Sequence, residues 1–213
     1  MVRLRYIFMI MLVVVTSCRQ IEPLVEQELS QGPEFTAEIE SFDPETKTAL
    51  DGNSVVWSAA DQIAVFQGTA KTDKYQVDED CIGTKEGIFA IVAKGETSSA
   101  ENFNANIALY PYQDGLTVTP TSATEYKITG LTIPSTQTYT ANTFSNGSFL
   151  MAAITDGLTD HTLSFRNLCG ALRLQLKGTA KIKSIELKGN DGEPLSGAAA
   201  ITIYNDGSSP TLE

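Results

Sequence analysis

The sequence is poor in the residues that usually carry chemistry. Its 213 residues include one histidine, His161, one tryptophan, Trp57, and three cysteines, Cys18, Cys81 and Cys169. A serine hydrolase needs a poised nucleophile beside its base, and no Gly-x-Ser-x-Gly elbow occurs. Two cysteines and one histidine beyond Cys18 give too few soft ligands for zinc, at no recognisable spacing. Asp78-Glu79-Asp80 could begin a calcium loop, with Gly83 at the turn position. That loop fails where a bidentate glutamate is required, because Phe89 stands there. The 26 acidic residues provide so many carboxylate pairs that no pair singles itself out for glycoside hydrolysis. With 15 basic residues the formal charge is −11, which repels a nucleic-acid partner. The sequence thus reads as a non-enzyme without metal or cofactor.

Long apolar runs are also missing. A membrane-spanning helix needs about 20 apolar residues, and the run Tyr6–Val15 is too short for that. It follows Arg3 and Arg5 and precedes small residues, which is the layout of a bacterial export signal. Val15-Thr16-Ser17-Cys18 fits the lipoprotein-processing pattern: an aliphatic residue, small residues, then a thiol that accepts diacylglycerol. Residues 1–17 are therefore read as a lipoprotein signal peptide and Cys18 as the lipidated first residue of the mature chain. Losing Arg3 and Arg5 leaves 13 basic against 26 acidic residues, a charge of −13. Acyl chains contribute about 0.8 kcal/mol per buried CH2, so two or three of them, a palmitate among them, hold the chain on a membrane. Residues 18–33 are polar and acidic and read as a tether.

From residue 34 onward, short β-rich runs alternate with turn residues, and no window shows helical periodicity. Expected strands are Phe35–Ile39, Gln62–Phe66, Ile88–Val92, Ile107–Tyr110, Lys127–Ile133, Met151–Ile154, Leu163–Phe165, Leu172–Leu176, Ile182–Leu187 and Ala199–Tyr204. Asp51-Gly52-Asn53 suits a hairpin turn between Thr46–Leu50 and Ser54–Trp57. The best place for a single helical turn is Arg166–Cys169. The predicted fold is all-β, a two-sheet sandwich with at most short helical turns. Residues 34–190 form the sandwich, and residues 191–213 are either a closing strand or the truncated start of a second β-domain. Cys81 and Cys169 are read as small core residues, with a disulfide between them left open.

Several ordered motifs carry a family resemblance. They are Lys47-Thr48-Ala49-Leu50-Asp51-Gly52, Val56-Trp57, Asp61-Gln62-Ile63-Ala64-Val65-Phe66 and Ala108-Leu109-Tyr110-Pro111-Tyr112. Leu131-Thr132-Ile133-Pro134, Phe165-Arg166-Asn167-Leu168-Cys169-Gly170-Ala171-Leu172 and Ile182-Lys183-Ser184-Ile185 complete the series. Behind a lipidation motif, this set resembles the N-terminal part of the fimbrillin-like lipoproteins of Bacteroidales-type bacteria. The resemblance implies a transthyretin-like β-sandwich displayed on the outer membrane, in a family whose members include subunits of adhesive pili. It also implies partners: other fimbrillin subunits joined by strand addition, after a protease preferring basic residues removes the first strand. Lys47 is the one basic residue between Gln20 and Ala70 and so the candidate cleavage point, against a plain reading as a solvated residue.

The function expected is that of a lipid-anchored pilus subunit or accessory component in cell adhesion, with host or bacterial surface ligands as further partners. One alternative is a glycan-binding outer-membrane lipoprotein in which Trp57, Tyr110 and Tyr112 stack on sugar rings. Another is a truncated fragment that receives a strand and donates none. In the plain reading Trp57 is core and His161 lies in a loop.

Overall fold

The computed structural model describes residues 32–40, 55–95, 102–139, 144–145, 148–170, 172, 174 and 176–213. Cys18, Lys47, the export signal and the hairpin about Asp51-Gly52-Asn53 lie outside these residues. The described chain is all-β, and its strands fall into two sheets.

The larger sheet is built from β1 (Phe35–Ile39), β2 (Gln62–Gln67), β3 (Thr72–Val77), β4 (Glu86–Ala93), β5 (Asn106–Tyr110), β8 (Met151–Ile154) and β9 (Thr162–Asn167). In the order β1-β4-β3-β2-β5-β8-β9 it curls round and closes, because β1 pairs with β4 on one side and β9 on the other. The β1–β9 contact is parallel, with Ala37 beside Leu163 and Ile39 beside Phe165. A second sheet carries β11 (Thr211–Leu212), β10 (Gly197–Tyr204), β7 (Glu125–Ile133) and β6 (Thr117–Pro120). β10 pairs with β7 from Gly197 opposite Ile133 to Tyr204 opposite Glu125, so residues 197–204 belong to the same sheet as the chain before residue 190.

Two cores follow from this arrangement. Inside the barrel, Phe35, Ala37 and Ile39 of β1 meet Tyr75, Phe89, Leu163, Phe165 and Trp57. Between barrel and second sheet, Phe66, Ile107 and Leu109 pack against Val118, Ile128, Leu131, Ile201 and Ile203. β2 serves both. Ile63 and Val65 point into the barrel while Ala64 and Phe66 face the second sheet. A strand buried on both faces reads as an unbroken apolar run, which is how Ile63-Ala64-Val65-Phe66 reads. β1 and β4 have one face in water and alternate strictly, buried with exposed.

Three expectations are corrected. Arg166 and Asn167 complete β9 instead of opening a helical turn. Among the described residues the one short turn of helix is Glu79–Cys81, capped by the Asp78 side chain, which accepts from the Asp80 N–H at 2.9 Å. The described residues of Leu172–Leu176, and all of Ile182–Leu187, belong to no strand. Alternation makes a segment fit for a strand, but a strand also needs a ladder partner. Here Leu172 is 65% exposed and Leu187 61%. Cys81 and Cys169 are free thiols, Cys81 packed against the barrel core and Cys169 against the other, so they are not bonded to each other. β3, β6 and β11 were not expected. In β3 a polar run, Thr72-Asp73-Lys74, hides the pattern. Asp73 is nevertheless buried, because Lys71 pairs with it at 3.1 Å and the Gln67 side-chain amide, through Nε2, and the Gly95 N–H donate to it at 3.1 and 2.9 Å.

Candidate functional site

A cleft of about 470 Å³ opens at one end of the barrel, bounded by Ile39 at the end of β1, the segment Val55–Gln62, Tyr110-Pro111-Tyr112 after β5, and Phe149 and Met151 at β8. Its polar feature is Asp61. The Ser58 N–H donates to Asp61 Oδ2 at 2.7 Å, and the Tyr110 hydroxyl donates to Oδ1 at 3.1 Å. Ala60, with φ of 65°, makes the left-handed turn that carries the chain into Asp61 and β2. Burial pushes the Asp61 carboxyl above the ordinary carboxylate range, against the lowering effect of these two donors. The Tyr110 hydroxyl is raised for the same reason, burial first and the neighbouring Asp61 charge second.

The aromatic residues proposed for sugar stacking do not form an open platform. Trp57 is 1% exposed, with Phe89, Tyr110 and Phe165 edge-on to it at centroid distances of 4.9, 5.6 and 5.8 Å. Its ring is a wall of the barrel core, as in the plain reading of the sequence. Tyr110 spends its hydroxyl on Asp61. Tyr112 has Lys74 Nζ 4.0 Å from its ring centroid and donates its hydroxyl to Asp114 at 2.8 Å. Burial and the Asp114 carboxylate push the Tyr112 hydroxyl up to about 12. A sugar ring therefore meets a lysine at Tyr112 and no indole face at all.

His161 lies in the loop before β9, where its carbonyl accepts from the Thr36 N–H at 2.9 Å and its ring meets Phe35 edge-on at 5.2 Å. It helps seat β1. Among the described residues no group of three or more His, Cys, Asp or Glu side chains could hold a metal ion, and no helix is long and apolar enough to cross a membrane.

The seat of β1 is the second feature of functional interest. Phe35 to Glu38 lie in register with β4 and Thr36 to Ile39 with β9, and Phe35, Ala37 and Ile39 are each at most 2% exposed. Taking this strand away opens a slot between β4 and β9 that is floored by Phe89, Leu163 and Phe165 and edged by two rows of ladder groups. Asp61 at the cleft was not singled out from the sequence, where it appeared only as the first residue of a strand motif.

Compared with protein-family models, curated proteins and solved structures, the chain matches none.

Proposed function

We propose that this protein is a lipid-anchored, outer-membrane surface protein of fimbrillin-like type that acts in adhesion by accepting a strand from a partner subunit. The carrying observation is the position of β1. It is the strand that closes the barrel, it lies upstream of Lys47, and its buried face consists of three residues in strict alternation. Cleavage at Lys47 would sever β1 from the rest of the domain while leaving its sheet partners intact. The slot so formed suits strand addition, in which main-chain hydrogen bonds supply affinity and pockets for alternate side chains supply register. An incoming strand with large apolar residues at the places of Phe35 and Ile39 would recover about 1.5–3 kcal/mol for each side chain fully buried. Lipid on Cys18 would hold the uncleaved chain at the membrane.

The test is strand exchange. The mature chain is clipped with a lysine-directed protease, the new N-terminus is sequenced, and a labelled peptide carrying residues 33–41 is offered in excess. Incorporation into the clipped chain, and none into intact Lys47→Gln, is expected. Failure of the clipped and folded chain to take up peptide at high micromolar concentration would count decisively against a pilus role.

A further inference from the structure

Leu172, Leu174 and residues 176–188 carry a run of exposed large apolar side chains. Leu172, Leu174, Leu176, Ile182, Ile185 and Leu187 are all between 48% and 65% exposed. Lys177, Lys181, Lys183 and Lys188 run among them against one carboxylate, Glu186, so this stretch is basic in a chain of charge −11. Lys188 pairs with Glu186 at 3.3 Å, and the other three lysines make this apolar surface positive.

A complementary surface lies on the outside of the barrel. Along β4 the outward residues are Glu86, Ile88, Ala90 and Val92, all exposed, with Ile88 at 43% and Val92 at 37%. Beside them, Glu38 of β1 is the direct register partner of Glu86. Two like charges set opposite each other across a ladder destabilise the pair, and neither has an ion-pair partner among the described residues. This patch is an apolar strip with an uncompensated negative end. The second sheet covers the opposite side of the barrel and leaves this face open.

We infer that Leu172, Leu174 and residues 176–188 of one molecule dock across the outer face of β1 and β4 of a second copy, apolar side chains on Ile88 and Val92 and lysines on Glu38 and Glu86. Both surfaces are exposed among the described residues of one chain. The lysines call for an anionic partner, and the outer face of β1 and β4 sets a carboxylate pair beside an exposed apolar strip, matching both the charge and the apolar side chains of the segment. This contact uses the closed barrel and its face. It requires no cleavage at Lys47 and no vacant slot, so it stands apart from strand exchange. One donor and one acceptor surface per chain give either a reciprocal dimer or an open row of copies.

Sedimentation equilibrium of the mature chain, with Cys18→Ser to remove the lipid, reads the contact. Self-association in the micromolar range that weakens with added salt is expected, and it persists in Lys47→Gln. Lys177→Glu with Lys183→Glu weakens it by about tenfold, and adding Glu38→Lys with Glu86→Lys to that double variant restores it. Leu174→Ser with Leu187→Ser gives an independent loss at positions already in water, with circular dichroism confirming that each variant is folded. A monomer at every concentration overturns the inference, as does association indifferent to both sets of substitutions or lost in Lys47→Gln. Binding of the monomer to phosphatidylglycerol vesicles that depends on the same lysines, without self-association, also overturns it and assigns the segment to a lipid surface.

Discussion

The indole of Trp57 lies directly over Gly87: a methyl group built on the glycine would sit 2.8 Å from Trp57 Cδ1 and 2.9 Å from Nε1. β4 passes beneath the ring because residue 87 has no side chain. Three aromatic rings hold the indole from other directions, so it has little room to retreat. Gly87→Ala is expected to cost about 1–3 kcal/mol through overpacking, seen as a lower urea midpoint at unchanged slope.

The same indole nitrogen is buried and has no hydrogen-bond partner among the described residues. Truncation to alanine removes the ring and its contacts, at about 3–5 kcal/mol. Trp57→Phe loses less volume and also removes the unsatisfied donor, whose burial is itself unfavourable. The phenylalanine variant should therefore keep most of the stability that the alanine variant loses. Equal losses in chemical denaturation would show that the bicyclic shape, and not apolar filling, is what the barrel needs.

Asp61 gives the protein a pH dependence of definite sign. Its folded-state pKa is raised above the ordinary value of 3.8, so the folded chain holds this proton more tightly than the unfolded chain. The resulting stability is fully present below pH 3.8 and is lost as pH rises through the folded value. Measured against Asp61→Asn, the wild type should lose relative stability over that window and run parallel to the variant above it. Denaturation midpoints at a series of pH values check this, and a wild type that gains on the variant with rising pH contradicts the burial argument.

Asn106 ties β5 to the loop before β9. It is 1% exposed, and its Nδ2 donates to the carbonyls of Asp160, Leu158 and Gly157 at 2.7, 3.2 and 3.4 Å. Its backbone N–H donates to Thr155 Oγ1 at 2.9 Å. Asn106→Leu keeps the bulk but takes the Nδ2 donor from the Asp160 and Leu158 carbonyls, at a cost of about 1–3 kcal/mol, whereas the Gly157 carbonyl still accepts from Thr155 Oγ1 and the Asp160 N–H. Hydrogen exchange should quicken first in residues 155–160, and uniform quickening across the chain would mean the effect is global.

Much of the strand pattern was legible because one-sided burial leaves period-two alternation and two-sided burial leaves an apolar run. Phe35–Ile39 shows the first and Ile63–Phe66 the second. β3 was hidden because its buried Asp73 is satisfied by Lys71, Gln67 and Gly95, which come together only in the fold. Leu172–Leu176 and Ile182–Leu187 misled for the opposite reason, since their alternation is real and their described residues lack a ladder. At the cleft, Trp57 stood out as the lone tryptophan and Tyr110 by its place beside Pro111. The Asp61–Tyr110 contact joins residues 49 apart, and no local pattern announces it.

The sequence by itself determined the class of the fold, all-β in two sheets, through side-chain alternation and turn residues that act over a few positions. It also determined the scarcity of histidine and cysteine and the strong negative charge. Only the tertiary structure decided that the larger sheet closes on itself, because that depends on β1 finding β9 in parallel register more than a hundred residues away. It likewise decided that Trp57 turns inward, that Glu38 and Glu86 stand side by side, and that the leucines and lysines of residues 172–188 stay in water. Each of these follows from which strands become neighbours, a long-range choice that local chemistry permits without specifying.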